Sequence, residues 1–186
     1  MTPEHLAQIH AAAFQQDRSW SAQEFKELLS SPLVTVISER GGFALTRLIA
    51  GEAELLTLAV DPKHQNQGIG RRLLNRWLAG DMDRAFLEVA ADNAAAFHLY
   101  TGIGFQITAT RRNYYRRQDA ATVDALILSI DLTHGQPALS TAKNIESGCP
   151  RPPATQYRIT DRRAQTRDRV LALRQTPTQQ NLGDPP

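Results

Sequence analysis

The order of apolar and polar positions predicts alternating strands and helices from the N-terminus to about Leu132. Ala53–Val60 is a nearly continuous apolar run, which is typical of a buried central strand, and Ala85–Val89 predicts a shorter buried strand. Gly68–Ala79 places three leucines and a tryptophan on one face, as an amphipathic helix does. Asn93–Tyr100 predicts a further helix after the second of these strands.

The N-terminal part carries helix-start signals. Thr2 precedes a proline and predicts the cap of a first helix. Ser21 and Glu24 form a capping box for a second helix, and Trp20 and Phe25 occupy the positions of a hydrophobic staple. The remaining strands are predicted at Leu33–Ser38, Gly42–Ile49, Phe105–Arg111 and Val123–Leu132. The pattern predicts an α/β fold in which helices flank one mixed sheet.

Composition narrows the class of protein. The 186 residues are 41% hydrophobic, which is enough for a core, but no run of 18 apolar residues predicts a membrane span. The first ten residues lack the basic and apolar regions of a secretory signal. Cys149 is the single cysteine, so an intramolecular disulfide and a zinc site of the all-cysteine type are excluded. We therefore expect a cytoplasmic protein without a metal.

The C-terminal part differs from the rest. Residues 133–186 contain eight lysines and arginines against four acidic residues, whereas residues 1–132 are nearly neutral and give no sign of a nucleic-acid-binding surface. Thr133–Gln156 has no sustained apolar period and predicts a linker, and Asp161–Arg174 predicts one short helix. We expect a folded domain over 1–132 and a basic, proline-containing, largely disordered extension over 133–186.

The stretch Leu58–Arg71, LAVDPKHQNQGIGR, carries the clearest chemistry. A predicted strand ends at Val60, and Gly68 and Gly70 open the next predicted helix. Their backbone N–H groups lie at a helix N-terminus, where unpaired donors and the positive end of the dipole attract phosphate. A pyrophosphate is the expected ligand. Neither a dinucleotide fingerprint nor a P-loop fits, because Leu73 stands at the third glycine position and no GK[ST] follows.

The spacing Q-x-x-G-x-G after AVDP resembles the acetyl-CoA motif of the GNAT N-acetyltransferases. Residues 4–132 are similar to the RimI branch of that family, whose members acetylate the N-terminal amine of a small-subunit ribosomal protein. The likeness is carried by Phe86-Leu87-Glu88-Val89, Asp92-Asn93, Ala95-Ala96, Leu99-Tyr100, Gly104-Phe105, Arg111-Arg112-Asn113-Tyr114-Tyr115 and Asp124-Ala125. The resemblance implies the GNAT fold, with a mixed, mostly antiparallel sheet flanked by helices, and acetyl-CoA as cosubstrate.

The resemblance also implies roles for individual residues. It gives Glu88 the position of the general base and Tyr100 that of the general acid. It implies that the backbone of one strand binds the pantetheine arm and that a loop, with one asparagine, binds the rest of the cofactor. The strand positions are Leu58, Ala59 and Val60, and the asparagine is Asn93. The loop positions are Asn66, Gln67, Gly68, Ile69, Gly70 and Arg71. In two places the chain departs from the family: Asp92 stands where serine is common, and Ala90-Ala91 replaces a pair that contains arginine.

Structural roles compete with these assignments. Glu88 could be the ion-pair partner of an arginine, Tyr100 could anchor its helix in the core, and Asn93 could simply cap its helix. Glu54 could point into the substrate groove or be solvated. The acceptor is expected to be a protein N-terminus, with a lysine side chain or a small amine as the alternative. A non-catalytic acyl-CoA-binding module, docked on the ribosome through the basic extension, is the remaining hypothesis.

Overall fold

A computed structural model describes residues 1–15, 18–116 and 121–132. The linker and the short helix predicted after Leu132 lie outside the described residues, and the domain boundary at that point stays a prediction. The elements follow the order predicted from the sequence. They are α1 Pro3–Ala13, α2 Ala22–Leu29, β1 Val34–Glu39, β2 Gly42–Ile49, β3 Glu52–Val60, α3 Ile69–Leu78, β4 Arg84–Ala90, α4 Ala94–Thr101, β5 Gln106–Arg116 and β6 Thr122–Asp131.

The predicted N-terminal caps are present. The Thr2 side chain accepts a hydrogen bond from the backbone N–H of His5 at the start of α1. At α2 both halves of the capping box form between Ser21 and Glu24. The staple pair Trp20 and Phe25 is in contact, with ring centroids 5.5 Å apart. Local sequence signals therefore decide where the first two helices begin.

The six strands form one sheet in the order β1-β2-β3-β4-β6-β5. Among the described strands only β3 and β4 are paired in parallel, and every other neighbouring pair is antiparallel. The predicted mixed, mostly antiparallel sheet flanked by helices is confirmed. The parallel pair lies at the centre of the sheet, and α3 is part of the connection between its two strands.

The two faces of the sheet are covered by different helices. On one face α2 packs through Phe25 against Phe43 of β2, with ring centroids 5.6 Å apart. On the other face a hydrophobic core cluster joins Leu73 of α3 and Tyr100 of α4 to Leu87 of β4. We call these the α1–α2 face and the α3–α4 face. Because side chains alternate along a strand, β4 directs successive residues to opposite faces.

One strand extends beyond its predicted end. The sequence predicts that β5 stops at Arg111, but the strand runs to Arg116 through a shift in its pairing with β6. Asn113 lies within this bulge in the left-handed region, at φ 53°. Its backbone N–H donates to Asp124 Oδ1 at 2.8 Å, and its Oδ1 accepts from Thr122 Oγ1 at 2.8 Å. Side chains of β6 stabilise the bulge, and this interaction is not visible in the local sequence.

Candidate active site

The central sheet opens between its two parallel strands. β3 and β4 are paired from Glu52 with Arg84 to Leu55 with Leu87, and the residues that follow on each strand lie beyond the last pair. The pairing of β2 with β3 shifts at the same level, so that Leu56 is an extra residue in β3. A bulge increases the twist of a strand and bends it away from its neighbour. The gap therefore begins at Leu56.

The predicted pantetheine-binding residues lie along this gap. Leu58, Ala59 and Val60 are paired with β2 and lie past the last β4 partner of β3. Backbone groups on the β4 side of this stretch have no partner strand among the strands that the structure describes, and such groups require other partners. The geometry suits a ligand that enters the sheet as a short extra strand.

The loop after β3 ends at an N-terminus of α3 that no side chain caps. Gln65 closes the turn by donating from Nε2 to the Val60 carbonyl oxygen at 3.1 Å. Asn66 and Gly68 both adopt left-handed conformations, at φ 60° and 76°. The N-cap is Gly68, so the N–H groups of the first helical turn are approached without hindrance from a cap side chain. This arrangement suits the binding of a pyrophosphate.

The two arginines after the glycines point toward protein groups. Arg71 donates from Nη1 to the carbonyl oxygen of Gly102 at 3.4 Å, near the C-terminus of α4. Arg72 pairs with Glu39 of β1 at 2.6 Å. The hydrogen bond from Arg72 holds the pKa of the Glu39 carboxyl below its usual range, and the carboxylate raises the pKa of Arg72. Both positive charges thus lie beside the N-terminus of α3. The two side chains also connect α3 to the C-terminal end of α4 and to β1.

Asn93 caps α4. Its Oδ1 accepts a hydrogen bond from the backbone N–H of Ala96 at 3.1 Å. Helix capping is the structural role that the sequence predicts for Asn93, and it uses the oxygen of the side-chain amide. The Nδ2 group is a separate donor, so the cap is compatible with a contact to a ligand.

The side chains of Glu88 and Tyr100 lie on opposite faces of the sheet. Register places Glu88, two residues after Phe86, on the α1–α2 face, whereas Tyr100 belongs to the core cluster of the α3–α4 face. The Tyr100 residue is 7% exposed, and its ring makes an edge contact with Phe105 at 6.1 Å between centroids. Glu88 is on β4, which borders the gap, and Tyr100 is on the helix that follows β4.

Glu88 forms an ion pair with an arginine, which is the structural role that the sequence offered as the alternative to catalysis. Its Oε1 lies 3.0 Å from Nη1 of Arg111, and the side chains are 8% and 31% exposed respectively. Sequence reasoning did not identify this partner, although Arg111 belongs to the segment that carries the resemblance. Glu88 is therefore a nearly buried carboxylate held next to a cation.

Glu54 is also paired. It lies opposite Arg47 of β2, and the two side chains form an ion pair with 13% and 8% of their surfaces exposed. The sequence suggested that Glu54 could point into the groove, but its carboxylate is bound to this arginine. Within the part of the chain that the structure describes, no group of histidine, cysteine or acidic residues could hold a metal ion.

Comparisons with known proteins identify the family. A model described as an acetyltransferase (GNAT) domain matches residues 31–107. The [ribosomal protein bS18]-alanine N-acetyltransferase of Escherichia coli strain K12 is 34% identical over 134 residues, which cover 69% of this chain and 88% of that protein. The chain belongs to the GNAT acetyltransferases and is of the RimI type. The N-alpha-acetyltransferase RimI of Mycobacterium tuberculosis is 38% identical over 125 residues, covering 61% of this chain and 78% of that protein.

Solved structures agree with this assignment to the GNAT acetyltransferases. The crystal structure of the ribosomal-protein-S18-alanine N-acetyltransferase from Escherichia coli has 32% identity and a TM-score of 0.62, covering 73% of this chain and 90% of that one. Arabidopsis thaliana NAA60, crystallised in complex with acetyl-CoA, shares the fold at 16% identity, with a TM-score of 0.59 and coverage of 70% and 93%. The family resemblance and the GNAT fold predicted from the sequence are confirmed.

One further finding concerns membranes. No helix in the described ranges is both long and apolar enough to cross a bilayer.

Proposed function

We propose that this GNAT enzyme transfers the acetyl group of acetyl-CoA to the N-terminal α-amine of a protein, with an alanine at the start of a small-subunit ribosomal protein as acceptor. Two relatives support the proposal: one is named as an alanine N-acetyltransferase of ribosomal protein bS18 and the other as an N-alpha-acetyltransferase. The observation that carries it is the gap between β3 and β4, with Glu88 on one face and Tyr100 on the other.

The loop before α3 and the open edge of β3 would hold the cofactor. The N–H groups of the loop and of the first turn of α3, at Asn66–Arg71, would bind the pyrophosphate. The positive end of the α3 dipole would add to the attraction. Leu58, Ala59 and Val60 would pair with the pantetheine arm through their backbone, and Asn93 would contribute its side-chain amide. Because β3 leads directly into the loop, binding at the loop directs the thioester into the gap.

Glu88 would act as the general base. An N-terminal α-amine has a pKa of about 8, so near neutral pH most of it is protonated and cannot attack. The Glu88 carboxylate would take up the proton, directly or through a water molecule. Its position on the α1–α2 face supports entry of the peptide from that side.

Tyr100 would act as the general acid. The amine nitrogen forms a bond to the acetyl carbon, the carbon–sulfur bond breaks, and the CoA thiolate leaves. Backbone N–H groups at the open edge of β3 would stabilise the negative charge on the carbonyl oxygen during the attack. The Tyr100 hydroxyl would then give a proton to the departing sulfur from the α3–α4 face. Transfer is direct, and no enzyme side chain carries the acetyl group.

Labelled acetyl-CoA and matched peptides test the acceptor. One peptide begins with a free alanine, a second has a blocked N-terminus and an internal lysine, and both copy the N-terminus of a small-subunit ribosomal protein. We expect label only on the first. Label confined to the internal lysine would instead support a lysine acetyltransferase. Absence of transfer to either peptide, together with heat of acetyl-CoA binding in calorimetry, would support a non-catalytic acyl-CoA-binding module.

Glu88→Gln tests the mechanism. We expect kcat to fall roughly 10²-fold or more, the usual contribution of an acid or base group, with little change in acetyl-CoA affinity. Wild-type turnover of this variant would exclude Glu88 as the base. A protein shortened at Leu132 tests whether residues 133–186 take part: unchanged turnover on the short peptide would assign them no catalytic role.

A further inference from the structure

The ion pair between Glu88 and Arg111 spans a strand. Glu88 is on β4 and Arg111 is on β5, and β6 lies between them. Two strand spacings amount to about 10 Å, so the arginine side chain has to extend across the surface of the sheet to reach the carboxylate. Its Nη1 nevertheless lies 3.0 Å from Glu88 Oε1. A contact of this reach requires a clear path over β6.

Small side chains provide that path. Ala125 of β6 pairs with Arg111 on one side and with Ala90 of β4 on the other, so the three residues form one row across the sheet. Cross-strand partners point to the same face. Ala125 is fully buried and Ala90 is 6% exposed. The Arg111 side chain starts on this row and reaches the carboxylate of Glu88, which lies two residues before Ala90 on β4.

The bulge in β5 supports the arginine from its other side. Between the pairs Arg111 with Ala125 and Tyr115 with Val123, β5 contains more residues than β6. The bulge turns the chain so that the ring of Tyr114 lies against the guanidinium, with the Arg111 Cζ 5.5 Å from the ring centroid. A guanidinium next to an aromatic ring is attracted by the electrons of the ring. Arg111 is therefore positioned by the sheet, by the bulge and by Tyr114.

Other charges on the same face have partners of their own. Glu54 of β3 is paired with Arg47 of β2, and Arg84 of β4 donates from Nη2 to Ser129 Oγ of β6 at 2.9 Å. Arg111 forms an ion pair with Glu88 on this face.

We propose that Arg111 is a positioning residue for the reaction, which fixes the orientation of the Glu88 carboxylate by binding its Oε1 from the β6 side of β4, opposite the gap. The inference rests on the proposed role of Glu88 as the base. A correctly oriented base increases the rate of the chemical step, whereas it contributes little to acetyl-CoA binding at the loop before α3. Removal of the guanidinium should therefore act on kcat rather than on cofactor affinity.

Arg111→Met removes the charge and retains much of the apolar side chain. We expect kcat to fall roughly 10- to 100-fold, with unchanged acetyl-CoA affinity in calorimetry. Arg111→Lys should recover part of the rate, since a lysine restores the charge but not the planar geometry.

Arg112→Met is the matched control. Arg112 is the exposed neighbour on the same strand, and its loss changes the net charge by the same amount. We expect nearly wild-type turnover and unchanged acetyl-CoA affinity. Thermal unfolding of every variant excludes loss of folded protein as the cause of a lower rate.

A double variant separates this inference from the proposed function. If Arg111 acts through Glu88, Arg111→Met should lower kcat much less in the Glu88→Gln background than in the wild type. Independent effects that multiply in the double variant would overturn the inference. A loss of turnover in Glu88→Gln with none in Arg111→Met would also overturn it and leave the proposed base intact. Wild-type turnover of Glu88→Gln would overturn the base assignment itself.

Discussion

Glu88 and Tyr100 lie on opposite faces of the sheet, Glu88 on the strand that borders the gap where β3 and β4 separate and Tyr100 on the helix that follows this strand. An acetyl group held in such a gap is accessible from both faces. In the proposed mechanism the amine would approach from the α1–α2 face and the sulfur would leave toward the α3–α4 face. The separation of the two residues suits a direct transfer, in which the entering and departing groups occupy different sides of the same carbon.

Tyr100→Phe should lower kcat roughly 10²-fold, because the thiolate loses its proton donor. The ring remains in contact with Phe105, so the free energy of unfolding should change by only about 1 kcal/mol, the usual net value of one hydrogen bond. Steady-state kinetics and urea unfolding measure the two effects. Unchanged kcat with a loss of stability would show that Tyr100 serves only as a core anchor.

Gly68→Ala should weaken acetyl-CoA binding at least tenfold. Gly68 has φ 76°, and an added Cβ would lie 3.2 Å from Arg72 Nη1. A left-handed alanine costs roughly 1–2 kcal/mol, and relief of this strain would reorient the loop N–H groups. Isothermal titration with acetyl-CoA measures the affinity.

Gly104→Ala is the control for this loop variant. Gly104 is also left-handed, at φ 116°, but it lies between α4 and β5. Its substitution should lower thermal stability and leave the affinity for acetyl-CoA near the wild-type value. Equal losses of affinity in both variants would contradict a specific role for the loop.

Arg47→Met should destabilise the protein by about 3–5 kcal/mol, because it leaves the nearly buried Glu54 carboxylate without its cation. The double variant Arg47→Met with Glu54→Leu should be more stable than this single variant, since both charges are removed together. Urea denaturation measures both. If Glu54 instead contacts the acceptor, Glu54→Gln would raise the KM for the peptide with little change in stability.

The stability contributed by Glu24 should depend on pH. Burial raises the pKa of this carboxyl, but the hydrogen bonds from Arg18 and Ser21 outweigh it and leave the pKa below its ordinary value of 4.5. A lowered folded-state pKa stabilises the protein above pH 4.5, and the stabilisation is lost as the pH falls through the folded-state value.

Glu24→Gln should therefore cost about 1 kcal/mol at pH 7, the usual scale for a capping interaction. The difference from the wild type should shrink below pH 4.5. Urea midpoints at pH 7 and pH 3.5 measure this. Glu27→Gln, on the exposed side of the same helix, should change stability by less than about 0.5 kcal/mol at either pH. A pH-independent effect of Glu24→Gln would assign the loss to packing instead of charge.

Much of the fold could be predicted because its signals are local. The Ser21–Glu24 capping box and the apolar run of β3 each depend on residues within one element, and both are present in the structure. The glycines before α3 also act within a few residues, so the loop could be recognised from its spacing. The bulge at Asn113 depends on Asp124 and Thr122 of the next strand, which explains why the sequence alone ended β5 too early.

The sequence by itself determined the order of the elements, the uncapped loop before α3 and the two residues that are candidates for acid and base. These follow from local spacing and from a likeness to known proteins. Only the tertiary structure decided which charges meet. Arg111 and Glu88 are 3.0 Å apart although a strand lies between them. Such pairs depend on the register of the sheet, which brings distant residues together, and no local pattern along the chain encodes that register.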